Sequence, residues 1–346
     1  MRSNAREVDA LLSGRLLCDL KGLTLPIHVM VDEHTTRKNT NFVIMHQLPH
    51  AYPLERIVPI GNGLGVEDPA MSLCRSCSKR AITHIACAMF EACGTYALCP
   101  DTSQIKRALE LLLGNRETAD ALKQTESPLR EFYDAAGRHV THDKEAPWQL
   151  AFDRADSPTR LWKRPPLSST QELKTLCDAL KGMRGTKDAG LAIRLVDNGS
   201  ASPLESKAHL LLFSGRRNGG EWLAHPWLNR RIDFSDSARA LAGNRYCIGD
   251  MVFPLAKAVI EVNGFAFHAD RQGFSIQSGR TAALKSMGYR VIDLNYQQLS
   301  NLEQLDSLLP AIAHDLGLPL RPKTTTFLKR REILHTNLFD TNPYEV

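Results

Sequence analysis

The alternation of apolar and polar positions along the chain predicts a mixed α/β protein. Within residues 1–25, Val8, Leu11, Leu12, Leu16 and Leu17 recur at helical spacing, and the pattern ends before Pro26. Two β-rich runs follow, 26–31 and 41–46, separated by the polar segment 32–39. Residues 67–94 read as helical, with Asp68-Pro69 as a start signal and Gly94 as a stop. A further helix over 103–113 ends at Gly114. Residues 114–170 are polar and punctuated by Pro128, Pro147, Pro158 and the pair Pro165-Pro166, the composition of a linker or large insertion. A helical pair, 170–183 and 187–196, stops at Asp197-Asn198-Gly199. Ser202 then offers an N-cap and Pro203 a first helical position for a helix running to Phe213.

After a loop rich in Gly and Arg, residues 245–263 form two short apolar strands joined by a Pro-containing turn. A loop over 264–274, a helix over 275–287, a strand over 289–294 and a helix over 298–316 complete the pattern. From residue 203 the order is helix, strand, strand, helix, strand, helix. That order predicts a small mixed sheet flanked by helices, preceded by a smaller mixed α/β region. The expected division is a β-rich and helical module over 1–113, a linker or insertion over 114–169, an α/β domain over 170–320 and a tail over 321–346.

Length and composition agree with this reading. A chain of 346 residues is long for one core, and 43% hydrophobic with 23% charged residues is ordinary for a folded protein. No apolar run approaches the roughly 18–20 residues that span a bilayer, and the N-terminus lacks a secretory pattern, so a cytoplasmic location without membrane partners is expected. The net charge of +5 permits nucleic-acid binding without arguing for it. Eight cysteines in such a setting are expected as thiols. A zinc site from Cys74, Cys77, Cys93 and Cys99 is conceivable because soft thiolates select zinc. The helical spacing of that segment favours buried thiols acting as small hydrophobes instead.

The chemistry concentrates in the two apolar strands. Each carries one acid, Asp250 on the first and Glu261 on the second. A carboxylate in a buried strand is costly unless paired, hydrogen-bonded or bound to a cation. Two of them on neighbouring strands can converge on one hard ion, Mg2+ or Mn2+, the arrangement that metal-assisted phosphodiester cleavage requires. Glu205, near the start of the preceding helix, can add a third oxygen group. His268, Arg271 and Arg280 follow as groups for positioning water or phosphate. The alternative is a buried ion network in which Asp250 and Glu261 pair with Arg245, Arg271 or Arg280.

Four stretches carry a resemblance: Ser202-Pro-Leu-Glu-Ser; Ile248-Gly-Asp-Met; Ile260-Glu-Val-Asn-Gly-Phe-Ala-Phe-His; and Arg280-Thr-Ala-Ala-Leu-Lys-Ser-Met-Gly-Tyr-Arg-Val-Ile. Together they resemble the Vsr-like branch of the PD-(D/E)xK endonuclease superfamily, over residues 202–305. The resemblance implies a restriction-endonuclease-like fold, a metal-dependent DNA endonuclease or nickase, and metal ligands at Asp250 and Glu261. It also implies supporting roles for Glu205, His268 and Arg280. Two positions depart from the pattern: Asn263 and Gln277 stand where the resemblance has Asp. An amide oxygen can ligate a hard cation but brings no charge and cannot act as a general base, so a catalytically weakened, DNA-binding antitoxin or regulator is the alternative function. Upstream, 25–31 through 69–86 is similar to the middle region of AbiEi-type antitoxin proteins; separately, a protein partner for the Cys-rich N-terminal region is a further expectation.

Overall fold

The computed structural model describes residues 26–340 apart from 33, 50–51, 62–63, 79, 100–102, 115–147, 153–156 and 264–270. The helical pattern expected over residues 1–25 lies outside the described residues. The architecture is mixed α/β, as the sequence pattern predicts. The chain divides into a small unit, residues 1–66 with 102–111, and a large one, residues 67–101 with 112–346.

In the small unit, β1 (Ile27–Val31) and β2 (Val43–Gln47) pair in parallel, Ile27 opposite Val43. β3 (Ile57–Gly61) pairs with β4 (Leu64–Glu67). The polar segment between β1 and β2 is organised locally, with Asp32 accepting from the His34 amide and the Thr35 hydroxyl.

The large unit opens with α1 (Pro69–Ser76) and α2 (Ile82–Cys93). Asp68 caps α1 by accepting from the Met71 amide, and Pro69 occupies the first turn. The sequence pattern predicts one continuous helix here. One helix ends at Ser76 and the next starts at Ile82; α1 packs against α4 (Thr170–Ala179) and α5 (Thr186–Ala192), and α2 against α5. α1 and α2 were expected in an N-terminal module; their apolar faces, including Met71, Ile85 and Phe90, are instead buried in the large unit. α3 (Ser103–Leu113) follows the sequence expectation closely. Part of the expected linker is also ordered sheet: β6 (Gln149–Phe152) and β7 (Pro158–Lys163) pair antiparallel, and β7 pairs in turn with β5 (Tyr96–Leu98).

α6 (Pro203–Phe213) is the central helix. Ser202 accepts from the Glu205 amide, and Pro203 opens the first turn, so both start signals in the sequence are used. The helix is apolar around its whole circumference; from Glu205 to Phe213 all residues except Lys207 are buried. A helix of that kind belongs inside a protein, and it carries three polar side chains, Glu205, Ser206 and His209, into the interior.

The main sheet has the strand order β11-β10-β9-β8, from β8 (Trp227–Asp233), β9 (Tyr246–Phe253), β10 (Ala258–Asn263) and β11 (Arg290–Asn295). β8, β9 and β10 are antiparallel neighbours, whereas β10 and β11 run parallel. Parallel pairing needs a crossover, and α8 (Arg271–Ser286) makes it. Ile232, Phe234, Cys247, Val252, Val259, Ala283 and Leu284 form one cluster between the sheet and the helices α7 (Asp236–Ala242) and α8. Gly279 permits the close approach of those helices, because a Cβ there would lie 2.8 Å from the Leu241 carbonyl oxygen. β8 and α7 are absent from the sequence-based order.

The C-terminal region closes the unit. Asn295 and Asn301 cap α9 (Tyr296–Ser300) and α10 (Leu302–Leu316), splitting the single helix expected over 298–316. Residues 321–346 were expected as a tail. Instead α11 (Thr325–Phe339) buries Phe327, Arg331, Leu334 and Leu338, and it packs against α2 and α6. Among the described residues no helix is long and apolar enough to cross a membrane.

Candidate functional site

Strand parity builds the site. Side chains two apart share a face, so Glu261 lies on the face of Val259 and Asp250 on that of Val252, two residues paired across β9 and β10. One register step beyond the pair Ile260–Met251, Glu261 and Asp250 come opposite each other. The backbone amide of Val262 donates to Asp250 Oδ2 at 2.7 Å, fixing that carboxyl against β10. Asp250 is partly buried and Glu261 is 3% exposed.

Glu205 comes from the first turn of α6, where its charge also suits the helix N-terminus. Its Oε2 accepts from the Ala201 amide at 2.9 Å and from Asn229 Nδ2 at 2.6 Å. The same Asn229 amide donates to the Gly199 carbonyl at 2.9 Å, tying β8 to the segment before α6. Asn229 adopts φ 45°, the left-handed region that Asn tolerates better than most residues. Sequence reasoning missed Asn229 altogether, together with the strand that carries it.

Arg280, on α8, reaches both oxygens of Glu261, at 2.7 and 2.8 Å, and also donates to the Ile248 carbonyl. The residue expected at phosphate is thus engaged with a carboxylate of the site. The ion-pair alternative weighed from sequence is realised through Arg280; Arg245 is exposed. Asn263 donates from Nδ2 to Asp293 Oδ1 at 3.1 Å, and Asp293 on β11 pairs in register with Glu261. Asp293 is a fourth acid at this end of the sheet. The signal that singled out Asp250 was present there too, an acid inside the apolar run Arg290-Val-Ile-Asp-Leu. Gln277 is partly buried on α8, Arg271 is the first residue of that helix, and His268 lies outside the described residues.

The electrostatics follow from burial. Burial, then the charge of Asp250, pushes the Glu205 carboxyl upward. Burial and Asp250 do the same to Glu261, against the pull of Arg280. Asp250 is itself raised by burial, against the Val262 amide and Arg280. Glu205 and Glu261 each sense Asp250, and Arg280 acts on Asp250 and Glu261.

The four cysteines weighed as a zinc set do not gather. Cys74 Sγ lies 3.4 Å from Cys177 Sγ, and the Cys77 thiol donates to the Leu73 carbonyl at 2.7 Å. Burial pushes the thiols of Cys77 and Cys93 up to about 12. Among the described residues, the group of three or more potential metal ligands within 4.8 Å of one another is Asp197, His209 and His225. Asp197 Oδ2 lies 2.8 Å from His209 Nε2 and 3.0 Å from His225 Nδ1. Those imidazoles hold the Asp197 carboxyl well below the usual range despite its burial.

No family model, curated protein or solved structure matches the chain.

Proposed function

We propose that residues 202–305 form a divalent-cation-dependent DNA nuclease centred on Glu205, Asp250 and Glu261. The observation that carries this reading is a charge imbalance. With all three carboxyls ionised and only Arg280 among them, the site holds an excess of two negative charges in a largely buried place. Uncompensated buried carboxylates are costly, and one Mg2+ or Mn2+ would balance them. The donors are all oxygen, as hard cations prefer; the three carboxyls do not all lie within 4.8 Å of one another, so they would have to draw together around the ion. The hydrogen bonds described above fall on Asp250 Oδ2 and Glu205 Oε2, leaving each carboxyl a second oxygen to offer.

Such a cation supplies a Lewis acid that polarises a phosphodiester and acidifies its bound water. The chain's own contributions are distinct. The Val262 amide orients Asp250, Asn229 and the Ala201 amide orient Glu205, and Arg280 holds Glu261 while presenting positive charge to an anionic strand. Asn263, as an amide, can position water but cannot take its proton.

A second reading is favoured by one specific observation: Arg280 already occupies both Glu261 oxygens. With the amides at Asn263 and Gln277, that arrangement suits a nuclease-like domain that binds DNA without cutting it. Incubation of the protein with supercoiled and linear DNA in Mg2+, Mn2+ or EDTA separates the two. The enzyme reading expects cation-dependent nicking that Asp250→Ala and Glu261→Ala abolish. Retarded DNA migration with intact strands in every cation condition would overturn the enzyme and leave the binding protein.

A further inference from the structure

We propose that Asp197, His209 and His225 form a second metal site, specific for a zinc-type transition ion and separate from the carboxylate cluster. Three ligands of the kinds favoured by such ions come from three separate places: Asp197 from the segment after α5, His209 from the middle of α6, and His225 from the loop before β8. A single oxygen, Asp197 Oδ2, already faces both imidazoles, with His209 Nε2 at 2.8 Å and His225 Nδ1 at 3.0 Å. In a tetrahedral site with bonds of about 2.0–2.1 Å, neighbouring ligand atoms lie about 3.3 Å apart. Opening those two contacts by a few tenths of an ångström brings them to that spacing, and all three ligand atoms already lie within 4.8 Å of one another. Two imidazoles and one carboxylate with a remaining open position is a coordination set used by zinc and by non-haem iron.

A hydrogen-bonded cluster alone accounts poorly for His209. That side chain is fully buried, edge-on to Phe90 and Phe213 at ring distances of 5.0 and 5.3 Å, and its Nδ1 has no hydrogen-bond partner. An ion on Nε2 would leave Nδ1 unpaired as well, but a metal–nitrogen bond at Nε2 would return more than the single hydrogen bond to Asp197 does. Asp197 and His225 keep 39% and 52% of their side-chain surface exposed, so an ion has a route in and water can complete its shell. The donor set also distinguishes this place from the hard, all-oxygen cluster of Glu205, Asp250 and Glu261, although His209 lies one helical turn from Glu205. Loaded, the site would clamp the segment that includes Gly199, whose carbonyl anchors Asn229.

The test uses the full chain, stripped with EDTA and titrated with Co2+, whose visible bands report tetrahedral coordination. The expected result is one tetrahedral Co2+ per chain with nitrogen and oxygen ligation, displaced by Zn2+; Co2+ taken up by the all-oxygen carboxylate cluster would be six-coordinate and contribute little to these bands. His225→Ala should weaken binding about a hundredfold or more, since even partners that only support a metal ligand are worth 10–100-fold. Asp250→Asn should leave the spectrum unchanged. His225 is half exposed, so that variant is expected to fold; a Zn2+-induced rise in melting temperature, present in the wild type and lost in His225→Ala, gives a second readout. Three results would each overturn the proposal: no Co2+ bands in the wild type, sulfur-to-cobalt charge-transfer bands pointing to the cysteines, or a spectrum lost in Asp250→Asn and kept in His225→Ala.

Discussion

The large unit contains two buried groups of charges that differ in one respect. In the first, Arg331, fully buried on α11, lies 2.6 Å from Glu221 Oε1 and 2.7 Å from Asp306 Oδ1. Lys323 also pairs with Asp306, at 2.7 Å, and Arg216 stands 3.8 Å from Glu221. Two acids meet three cations there, and Arg216 and Arg331 lie over the Phe327 ring. In the second group, three carboxyls share one Arg280. Buried ion pairs are common as structural devices, so burial of charge is no sign of function by itself. A surplus of buried carboxylates is more telling, because the fold bears a cost that a bound proton or a counter-charge relieves. The Arg331 group holds α11 in place; the Glu205–Asp250–Glu261 group is the one proposed to take an ion.

Substitutions should separate the two groups by sign as well as by size. Arg331→Met leaves Glu221 and Asp306 without their main partner and should cost about 3–5 kcal/mol, read from urea unfolding. An effect within experimental error would erase the contrast. Asp250→Asn, measured the same way in EDTA at neutral pH, should be neutral or stabilising by about 1 kcal/mol, because it removes excess charge while the amide oxygen can still accept from Val262. A large loss of stability would mean that Asp250 is held as firmly as Arg331.

The pH dependence follows from the same imbalance. The folded carboxyls of Glu205, Asp250 and Glu261 are raised, so between the ordinary carboxylate range and the raised value the native state binds more protons than the unfolded chain. Stability from this source is therefore present at low pH and lost as pH rises through that window. For Glu205 the window runs from 4.5 to about 8. In EDTA, wild-type stability should fall across it relative to Glu205→Gln, and Mg2+ should flatten the difference; parallel curves would contradict the imbalance. The smallest effect expected is that of Ser202→Ala. Loss of the α6 cap should cost about 1 kcal/mol by denaturation, and it should weaken Mg2+ binding less than Asp250→Asn does.

The elements legible in the sequence were those encoded locally. Ser202 and Pro203 announce α6, and alternating apolar runs announce β9, β10 and β11. The acids stranded in β9 and β10 marked Asp250 and Glu261. What escaped was polar residues placed by tertiary contacts. β8 holds Asn229, Arg230 and Arg231 in succession, which hides the alternation of Leu228 and Ile232. α11 buries Arg331 and His335, so its inward face does not read as apolar. Asp197, His209 and His225 stand 12 and 16 positions apart in succession and meet only because α6 runs through the interior, so no short spacing motif announces them. Arg280 was found, but its engagement with Glu261 depended on α8 crossing the sheet at that strand.

The central claim, that the surplus of buried carboxylates is a site for a divalent cation, is tested most directly by calorimetric titration of Mn2+ into the EDTA-stripped full chain carrying His225→Ala, which removes the competing imidazole site. One Mn2+ per chain, with binding lost in the further variants Asp250→Ala and Glu261→Ala, is the predicted result. No binding, or binding that survives both substitutions, would contradict it.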